Sequence, residues 1–177
     1  KNLSLNHNSG ISGEVAQQLA EAVLASKSLE VFSEVPIKEL REDKLTELNL
    51  SSKGLGPAEG IVIAKLVAVT AVLTSIDVGF NSIGKEAALS LVSIFKEKDQ
   101  MKSVGLARCD LGVNGAKAVA EYVKGSAVLK TLNLRSNHLT NDGEDMSGIQ
   151  ALAAALSSGS AVLKSINLSC NDLDADA

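Results

Sequence analysis

The sequence is poor in the residues from which disulfide scaffolds and aromatic cores are built. Its 177 residues include two Cys, two His and no Trp, and aromatic residues make up 2%. Two cysteines are too few for a disulfide framework, which favours a reducing, cytoplasmic location. Residues 1–5 have the pattern of a strand, and no secretory signal opens the chain. The most apolar run, 60–73, contains Lys65 and is too short to span a bilayer, so no membrane contact is expected.

Acidic and basic residues are present in similar numbers, and the sequence contains no catalytic motif. The net charge is −4, which predicts no general attraction to nucleic acid. The sequence has no Gly-rich phosphate loop, no GxSxG and no HExxH, and two His cannot supply a plausible Ser/His/acid set. His7 and His138 lie far apart, with no second ligand at metal spacing. We therefore predict that the protein is not an enzyme, with no catalytic residue, no cofactor and no metal site.

What the sequence does have is a repeat. Apolar residues recur at positions 1, 4 and 6 of each unit, followed by Asn or a substitute at position 9 and Leu or Ile at position 11. The clearest units start at Leu45, Leu73, Met101, Leu129 and Leu163. The first four starts are evenly spaced, and the step from Leu129 to Leu163 is longer. A fixed period of about 28 residues is typical of a solenoid, in which stacked units together form the core.

The apolar spacing changes within each unit. Leu132 and Leu134 alternate with polar residues as in a short strand. Ala116, Val119 and Val123 lie at the spacing of one helix face. Each unit is thus predicted to be a strand, a turn, a helix and a return loop. Such crossovers make consecutive strands parallel and the winding right-handed.

Position 9 is expected to be buried, because an Asn amide can satisfy the backbone groups left without partners where the strand ends. Two residues at this position deviate from Asn. Cys109 is predicted to be a buried, unreactive thiol that gives up most of these hydrogen bonds. Lys53 is predicted to turn its ammonium outward, since burying it unpaired is costly, and the turn around it is expected to be altered. The column itself consists of Asn8, Asn81, Asn137 and Asn171.

Two segments depart from the period. Residues 29–44 contain a strand pattern, but the next unit begins at Leu45, well before a full period has passed, so we predict a truncated repeat with at most one helical turn. The longer step after Leu129 places extra residues near 140–147, in a solvated loop. The stretch 141–145 lacks the alternating oxygen ligands of a calcium loop. We expect one domain over 1–177, with about six units plus the truncated one, as part of a longer protein.

The pattern LxxLxLxxNxL followed by an Ala/Val/Leu helix resembles the leucine-rich repeats of the ribonuclease-inhibitor type. This resemblance covers nearly the whole chain. It implies an α/β fold: a right-handed solenoid, or horseshoe, with a concave parallel β-sheet and convex α-helices. Proteins with similar repeats include ribonuclease inhibitor, GTPase-activating proteins for Ran and nucleotide-binding immune receptors, and many are intracellular.

In such a fold the concave face carries the residues between and just after the apolar strand positions. Its later units are rich in Lys and Arg, which predicts a protein partner with an acidic surface; a solvated face without a partner is the alternative. Phe80 is either an interface anchor beside Arg108 or packed against its neighbours. The candidate partner-binding residues are Asp77, Phe80, Lys102, Arg108, Lys130, Asn133, Arg135 and Lys164.

Three functions remain open at this level. The first is a protein-interaction module or scaffold that binds through the concave face, or through the loop at 140–147. The second is a GTPase-activating regulator of the Ran type, for which no residue of this chain matches a catalytic motif. The third is a structural segment of a larger protein, whose uncapped terminal repeats would favour end-to-end self-association.

Overall fold

Short strands alternate with helices along the chain in the computed structural model, which describes residues 1–8, 10–158 and 162–173. The strands are β1 (Asn2–Leu3), β2 (Val31–Phe32), β3 (Glu47–Asn49), β4 (Ser75–Asp77), β5 (Ser103–Gly105), β6 (Thr131–Asn133) and β7 (Ser165–Asn167). The helices are α1 (Gly13–Ala25), α2 (Ile37–Arg41), α3 (Pro57–Val67), α4 (Lys85–Lys98), α5 (Gly112–Gly125) and α6 (Ser147–Ser157). None of the helices in these ranges is long and apolar enough to cross a membrane.

All paired strands are parallel and follow the order of the sequence. Strands β3 to β7 form one sheet, and β1 and β2 form a second, two-stranded sheet. Ser75 pairs with Ser103 and Ser103 with Thr131, so the register advances by one repeat period each time, whereas Thr131 pairs with Ser165 across the longer step. The predicted α/β leucine-rich-repeat architecture, a parallel sheet with the helices packed on one side of it, is confirmed.

The core is a row of aliphatic side chains between the sheet and the helices. Leu48, Ile76, Val104 and Leu132 lie one above the other and are buried, and the helices contribute Ala and Val from their inner faces. In the last unit Ile166 is only partly buried. Aliphatic residues thus supply most of the buried volume, and the few aromatic core residues, such as Tyr122 and Phe95, fill gaps between α4 and α5.

The asparagine column connects each turn to the turn before it. The Asn137 Oδ1 atom accepts hydrogen bonds from the backbone N–H groups of Cys109 (3.0 Å) and Leu111 (3.3 Å). Its Nδ2 atom donates to the Leu106 and Leu134 carbonyls at 2.8 and 3.0 Å. Asn81 and Asn171 are likewise buried and bonded to the preceding unit. The prediction of a buried column is therefore confirmed for these three residues.

Asn8 is the exception, because its side chain is exposed. Its Nδ2 atom donates to carbonyls of its own turn, those of Leu5 and Asn6, at 3.0 and 3.4 Å. The described residues place no earlier unit against this turn, so there is no backbone for the amide to bridge. The prediction that Asn8 would be buried is wrong for that reason.

The side chains of the two substitutes in the column lie as predicted, but the expected alteration of the turn at Lys53 is wrong, because Ser52 has the same left-handed backbone as Arg108 and Ser136. Cys109 is 3% exposed, and its Sγ atom lies 3.6 and 3.9 Å from the Ala107 and Val78 carbonyl oxygens, which makes weak hydrogen bonds at best. The Lys53 ammonium points outward and forms an ion pair of 2.8 Å with Glu34. The Lys53 N–H still donates to Asn81, so this turn keeps its backbone link to the next unit.

The segment 29–44 contains the predicted strand and a single helical turn, β2 and α2. Because α2 has only five residues, α1 packs directly on α3. The N–H of His7 donates to the Gly54 carbonyl (2.8 Å), so the first turn bonds to a turn two units on. The parallel ladder is interrupted here, which is why the strands form two sheets.

A buried polar chain replaces the missing asparagine of the truncated unit. The N–H of Leu5 donates to Ser33 Oγ at 2.9 Å, and that hydroxyl donates to Glu59 Oε1 at 2.7 Å. The second carboxylate oxygen of Glu59 accepts from the N–H of Gly56 at the start of α3 (3.0 Å). Both side chains are buried, and together they connect unit one to the start of unit three.

Arg41 closes the end of α1 on the other side of the same unit. Its guanidinium donates to the carbonyl oxygens of Ser26 (2.9 Å) and Leu24 (2.8 Å), with a longer contact to Val23 (3.4 Å). The last carbonyls of a helix have no partner within the helix, and a cation is favoured at that end. Arg41 of the short α2 thus provides hydrogen bonds for the terminal carbonyls of α1.

We expect Asn137→Ala to lower the free energy of unfolding by about 3 kcal/mol, because each buried backbone group left unsatisfied costs about 1–3 kcal/mol. Urea unfolding followed by circular dichroism measures this. Asn8→Ala is the matched control at the same repeat position, and it should cost under about 1 kcal/mol since water replaces its contacts. Equal losses of unfolding free energy for the two variants would contradict a stabilising role of the buried asparagine column.

We expect Arg41→Gln to destabilise the protein by about 1 kcal/mol through loss of the charged cap on α1. Lys38→Gln is a control on the same helix that removes an exposed ion pair with Glu30, for which about 0–0.5 kcal/mol is expected. Thermal unfolding of both variants gives the comparison. If the two variants have the same melting temperature, the hydrogen bonds from Arg41 do not stabilise α1.

Candidate partner-binding surface

The repeat brings the predicted cations of the later units into two rows, one of lysines and one of arginines. The N–H of Lys130 donates to the Lys102 carbonyl and that of Lys164 to the Lys130 carbonyl, each at 2.8 Å, so the three lysines occupy one position of consecutive units. Neighbouring strands of a parallel sheet lie about 4.8 Å apart. We call Lys102, Lys130 and Lys164 the lysine row.

Arg108 and Arg135 lie at the other end of the same strands. The N–H of Arg108 donates to the Arg135 carbonyl at 2.8 Å, which makes the two arginines neighbours. From Lys130 to Arg135 is five residues, so about 16 Å along the chain separates this pair from the lysine row. We call these two arginines and the lysine row together the basic face; all five side chains are exposed.

The five cations of the basic face form no ion pair with another described residue. The ion pairs among the described residues involve Lys1, Lys38, Lys44, Lys53 and His138, and none of the five cations of the basic face. Like charges at directly opposite positions of a sheet repel each other. The face is therefore suited to an external anion, which would relieve this repulsion.

Small polar side chains fill the space between the two cationic groups. Ser103, Thr131 and Ser165 pair with one another across β5, β6 and β7 and follow the lysine row directly. Ala107 and Gly105 come next in the fifth unit, where the side chains are smallest. A Cβ atom at Gly105 would overlap the Asp77 carboxylate, so glycine is required here for the acid to lie across the sheet.

Asp77 and Asn133, both predicted as binding residues, also hold the ends of their own strands. The Oδ1 atom of Asp77 accepts from the N–H of Gly79 at 2.8 Å, and that of Asn133 accepts from the N–H of Arg135 at 3.2 Å. Asn49 and Asn167 make the same contact in their units. These bonds fix the backbone of the residue two positions on, where the strand ends. A substitution of Asp77 or Asn133 would therefore alter both the exposed surface and the end of the strand.

Phe80 is exposed rather than packed away. Its side chain is 41% accessible, and its backbone is left-handed with a φ of 57°. The same conformation recurs at Ser52, Arg108, Ser136 and Cys170, so it belongs to the repeat turn. A bulky side chain is unusual in this region of φ and ψ. Of the two interpretations offered by the sequence, the structure favours an accessible aromatic on the surface.

The rim after the strands holds a group that the sequence analysis missed. His138, Asp142 and Asp172 place one possible metal-ligand atom each within 4.8 Å of one another, and this is the single such group among residues 1–8, 10–158 and 162–173. His138 and Asp172 both occupy position 10 of their units. Aligning that position down the repeat would have revealed the pair, whereas a search for closely spaced ligands could not.

The two thiols lie in different environments. Burial raises the pKa of the Cys109 thiol to about 12, and the nearby Asp77 carboxylate adds to the shift. Cys170 is free and exposed, at the turn of the last unit. The prediction that Cys109 is an inert core thiol thus agrees with its position.

Comparisons with known proteins agree with this architecture. A family model described as "Leucine Rich repeat" matches residues 71–92 and 125–143. Ribonuclease inhibitor of Sus scrofa is 28% identical over 101 residues, which cover 56% of this chain and 22% of that protein. The chain therefore aligns with about a fifth of the length of this relative. The matched segments lie within the leucine-rich-repeat solenoid described above, and the chain is similar to ribonuclease inhibitor over the aligned part.

At pH 8 we expect a thiol reagent such as DTNB to modify one cysteine in the folded protein and two after denaturation. The thiolate is the reactive form, and the raised pKa keeps Cys109 protonated well above neutral pH. Absorbance at the product wavelength counts the thiols. Cys170→Ser should abolish the folded-state reaction; a fast reaction in that variant would show that Cys109 is accessible.

Proposed function

We propose that this leucine-rich repeat protein binds an acidic segment of a partner protein across the basic face, with Phe80 as an apolar anchor at its edge. The observation that carries the proposal is a set of five exposed cations, in equivalent positions of neighbouring units, that form no ion pair with the described residues of a chain whose net charge is −4. Charge of the opposite sign is thus concentrated on the face that the repeat leaves open.

The dimensions of the face suit an extended peptide or a protein edge. The three lysines span two strand spacings, about 10 Å, and the arginines add a second line of charge about 16 Å away. Between them lie hydroxyl and amide groups, which can donate to carboxylate oxygens. Interactions of this kind contribute mainly specificity and association rate, and an aromatic anchor adds affinity.

A protein partner fits better than nucleic acid. The chain has 21 acidic residues against 17 basic ones. A duplex long enough to contact several phosphates would also meet the acidic remainder of the surface, which opposes the general attraction that nucleic-acid binding depends on. We propose a cytoplasmic, non-enzymatic role as well, in keeping with two free thiols and a site made of cations, small polar groups and one aromatic.

The proposal can be tested with a fluorescent poly-Glu peptide as the probe and anisotropy as the readout. We expect Lys130→Glu/Arg135→Glu to weaken binding at least about tenfold, since two attractions become repulsions. Lys65→Glu/Lys96→Glu makes the same charge change on exposed positions of α3 and α4 and should leave the affinity within about twofold.

Three further measurements distinguish a protein-specific basic face from an effect of net charge and from nucleic-acid binding. Added salt should weaken peptide binding to the unaltered protein and have less effect on the Lys130→Glu/Arg135→Glu variant. For the partner itself, once captured, Phe80→Ala should reduce affinity without changing the salt dependence. Equal loss in both double variants would point to net charge alone, and a DNA duplex that competes as well as the peptide would contradict a protein-specific face.

A further inference from the structure

We propose that His138, Asp142 and Asp172 form a surface site for a divalent transition-metal ion of the Zn²⁺ class. The three ligand atoms already lie within 4.8 Å of one another, and the distance from His138 Nδ1 to Asp142 Oδ1 is 3.8 Å. Ligand atoms around a tetrahedral Zn²⁺ are about 3.4 Å apart, because each lies about 2.1 Å from the metal. A contraction of at most about 1.4 Å between ligand atoms would therefore complete the site.

The repeat itself positions two of the three ligands. Asp110, His138 and Asp172 hold position 10 in three consecutive units, each with a left-handed backbone, with φ values of 54°, 51° and 49°. One conformation, repeated at the spacing of neighbouring strands, directs these side chains along one line on the rim. His138 and Asp172 are thus brought together although they belong to different units and lie far apart in the sequence.

The insertion of the sixth unit supplies the third ligand. Asp142 lies in the loop that follows His138, again with a left-handed backbone (φ 55°), and its Oδ1 atom lies 3.8 Å from the imidazole Nδ1 atom. The buried Thr140 hydroxyl lies 2.9 Å from the carbonyl oxygens of both Asn171 and Asp172, which holds the loop against the last unit. The ligands therefore come from two segments whose relative position is already set.

The donor set indicates which metal would bind. One imidazole nitrogen and two carboxylates are typical ligands of Zn²⁺ and related ions, with a fourth position left for water. Calcium requires six to eight oxygen ligands and does not favour imidazole. His138 and Asp142 have side-chain exposures of 63% and 82%, so solvent can complete the coordination and the ion can enter directly.

Bound metal would join the inserted loop to the last unit of the solenoid. It would add a bond between 138–142 and Asp172 in a unit whose Ile166 and Leu168 are only partly buried. An ion that binds the folded state alone stabilises it by mass action. The site would thus make the stability of the final unit depend on metal.

The test uses the full chain with Cys170→Ser, treated with EDTA, so that the exposed thiol beside the site does not contribute. We expect calorimetry to show one-to-one Zn²⁺ binding, with Ca²⁺ and Mg²⁺ much weaker. His138→Gln, Asp142→Asn and Asp172→Asn should each weaken Zn²⁺ binding by at least about tenfold. Asp110→Asn, one unit earlier in the same column, is the matched control and should change affinity by less than about twofold.

The two histidines give an independent readout. Only His7 and His138 are present, so two sets of imidazole resonances are expected in the NMR spectrum. Zn²⁺ should move the His138 resonances and leave those of His7 in place. The melting temperature should rise with Zn²⁺ in the Cys170→Ser background and not in its Asp172→Asn derivative. Unmoved His138 resonances at saturating Zn²⁺, or equal affinity after His138→Gln, would overturn the proposal.

Discussion

The structure depends on each turn using the next unit to satisfy its backbone. Where a short strand ends, N–H and C=O groups point inward, and a buried amide from the following unit bonds to them, as Asn137 does for Cys109, Leu111 and Leu106. The aliphatic row beneath supplies apolar burial, but it is the amide that allows a turn to be buried without unsatisfied backbone groups. Stability is consequently a property of neighbouring pairs of units rather than of any unit alone.

In the truncated unit, 29–44, other side chains satisfy the backbone groups that an asparagine and a full helix would otherwise satisfy. With no asparagine to bridge the gap, Ser33 and Glu59 carry hydrogen bonds from the first unit to α3. With no full helix beside α1, Arg41 covers its terminal carbonyls, and α1 packs on α3. These residues are polar or charged because the groups they serve are backbone donors and acceptors, which an apolar side chain could not satisfy.

The same periodicity that stacks leucines also stacks charges. Lys102, Lys130 and Lys164 lie next to one another because their positions in the repeat are equal, in the way that Val104, Leu132 and Ile166 do two residues further along each unit. For the aliphatic residues this proximity is favourable, and for the lysines it costs free energy unless an anion is present. The rim column with His138 and Asp172 arises in the same manner, and there the juxtaposed groups are complementary.

Much of the fold could be predicted from the sequence, because apolar spacing and the position of asparagine are local properties that every unit repeats. The parallel register, the buried leucines at 132 and 134, the outward Lys53 and the short segment at 29–44 all follow from that spacing. The prediction is wrong for Asn8, which is exposed because the described residues place no other unit before it, although its position in the pattern is the same as that of Asn137.

The candidate sites divide along the same line. That Lys102, Lys130 and Lys164 share a face was determined by the sequence alone, since a repeat position defines a side of the sheet. That Phe80 is accessible, that Asp77 lies over Gly105, and that the inserted loop brings Asp142 to His138 and Asp172 was decided by the tertiary structure. The physical reason is that these contacts depend on how an irregular segment packs against the next unit, which no periodic pattern encodes.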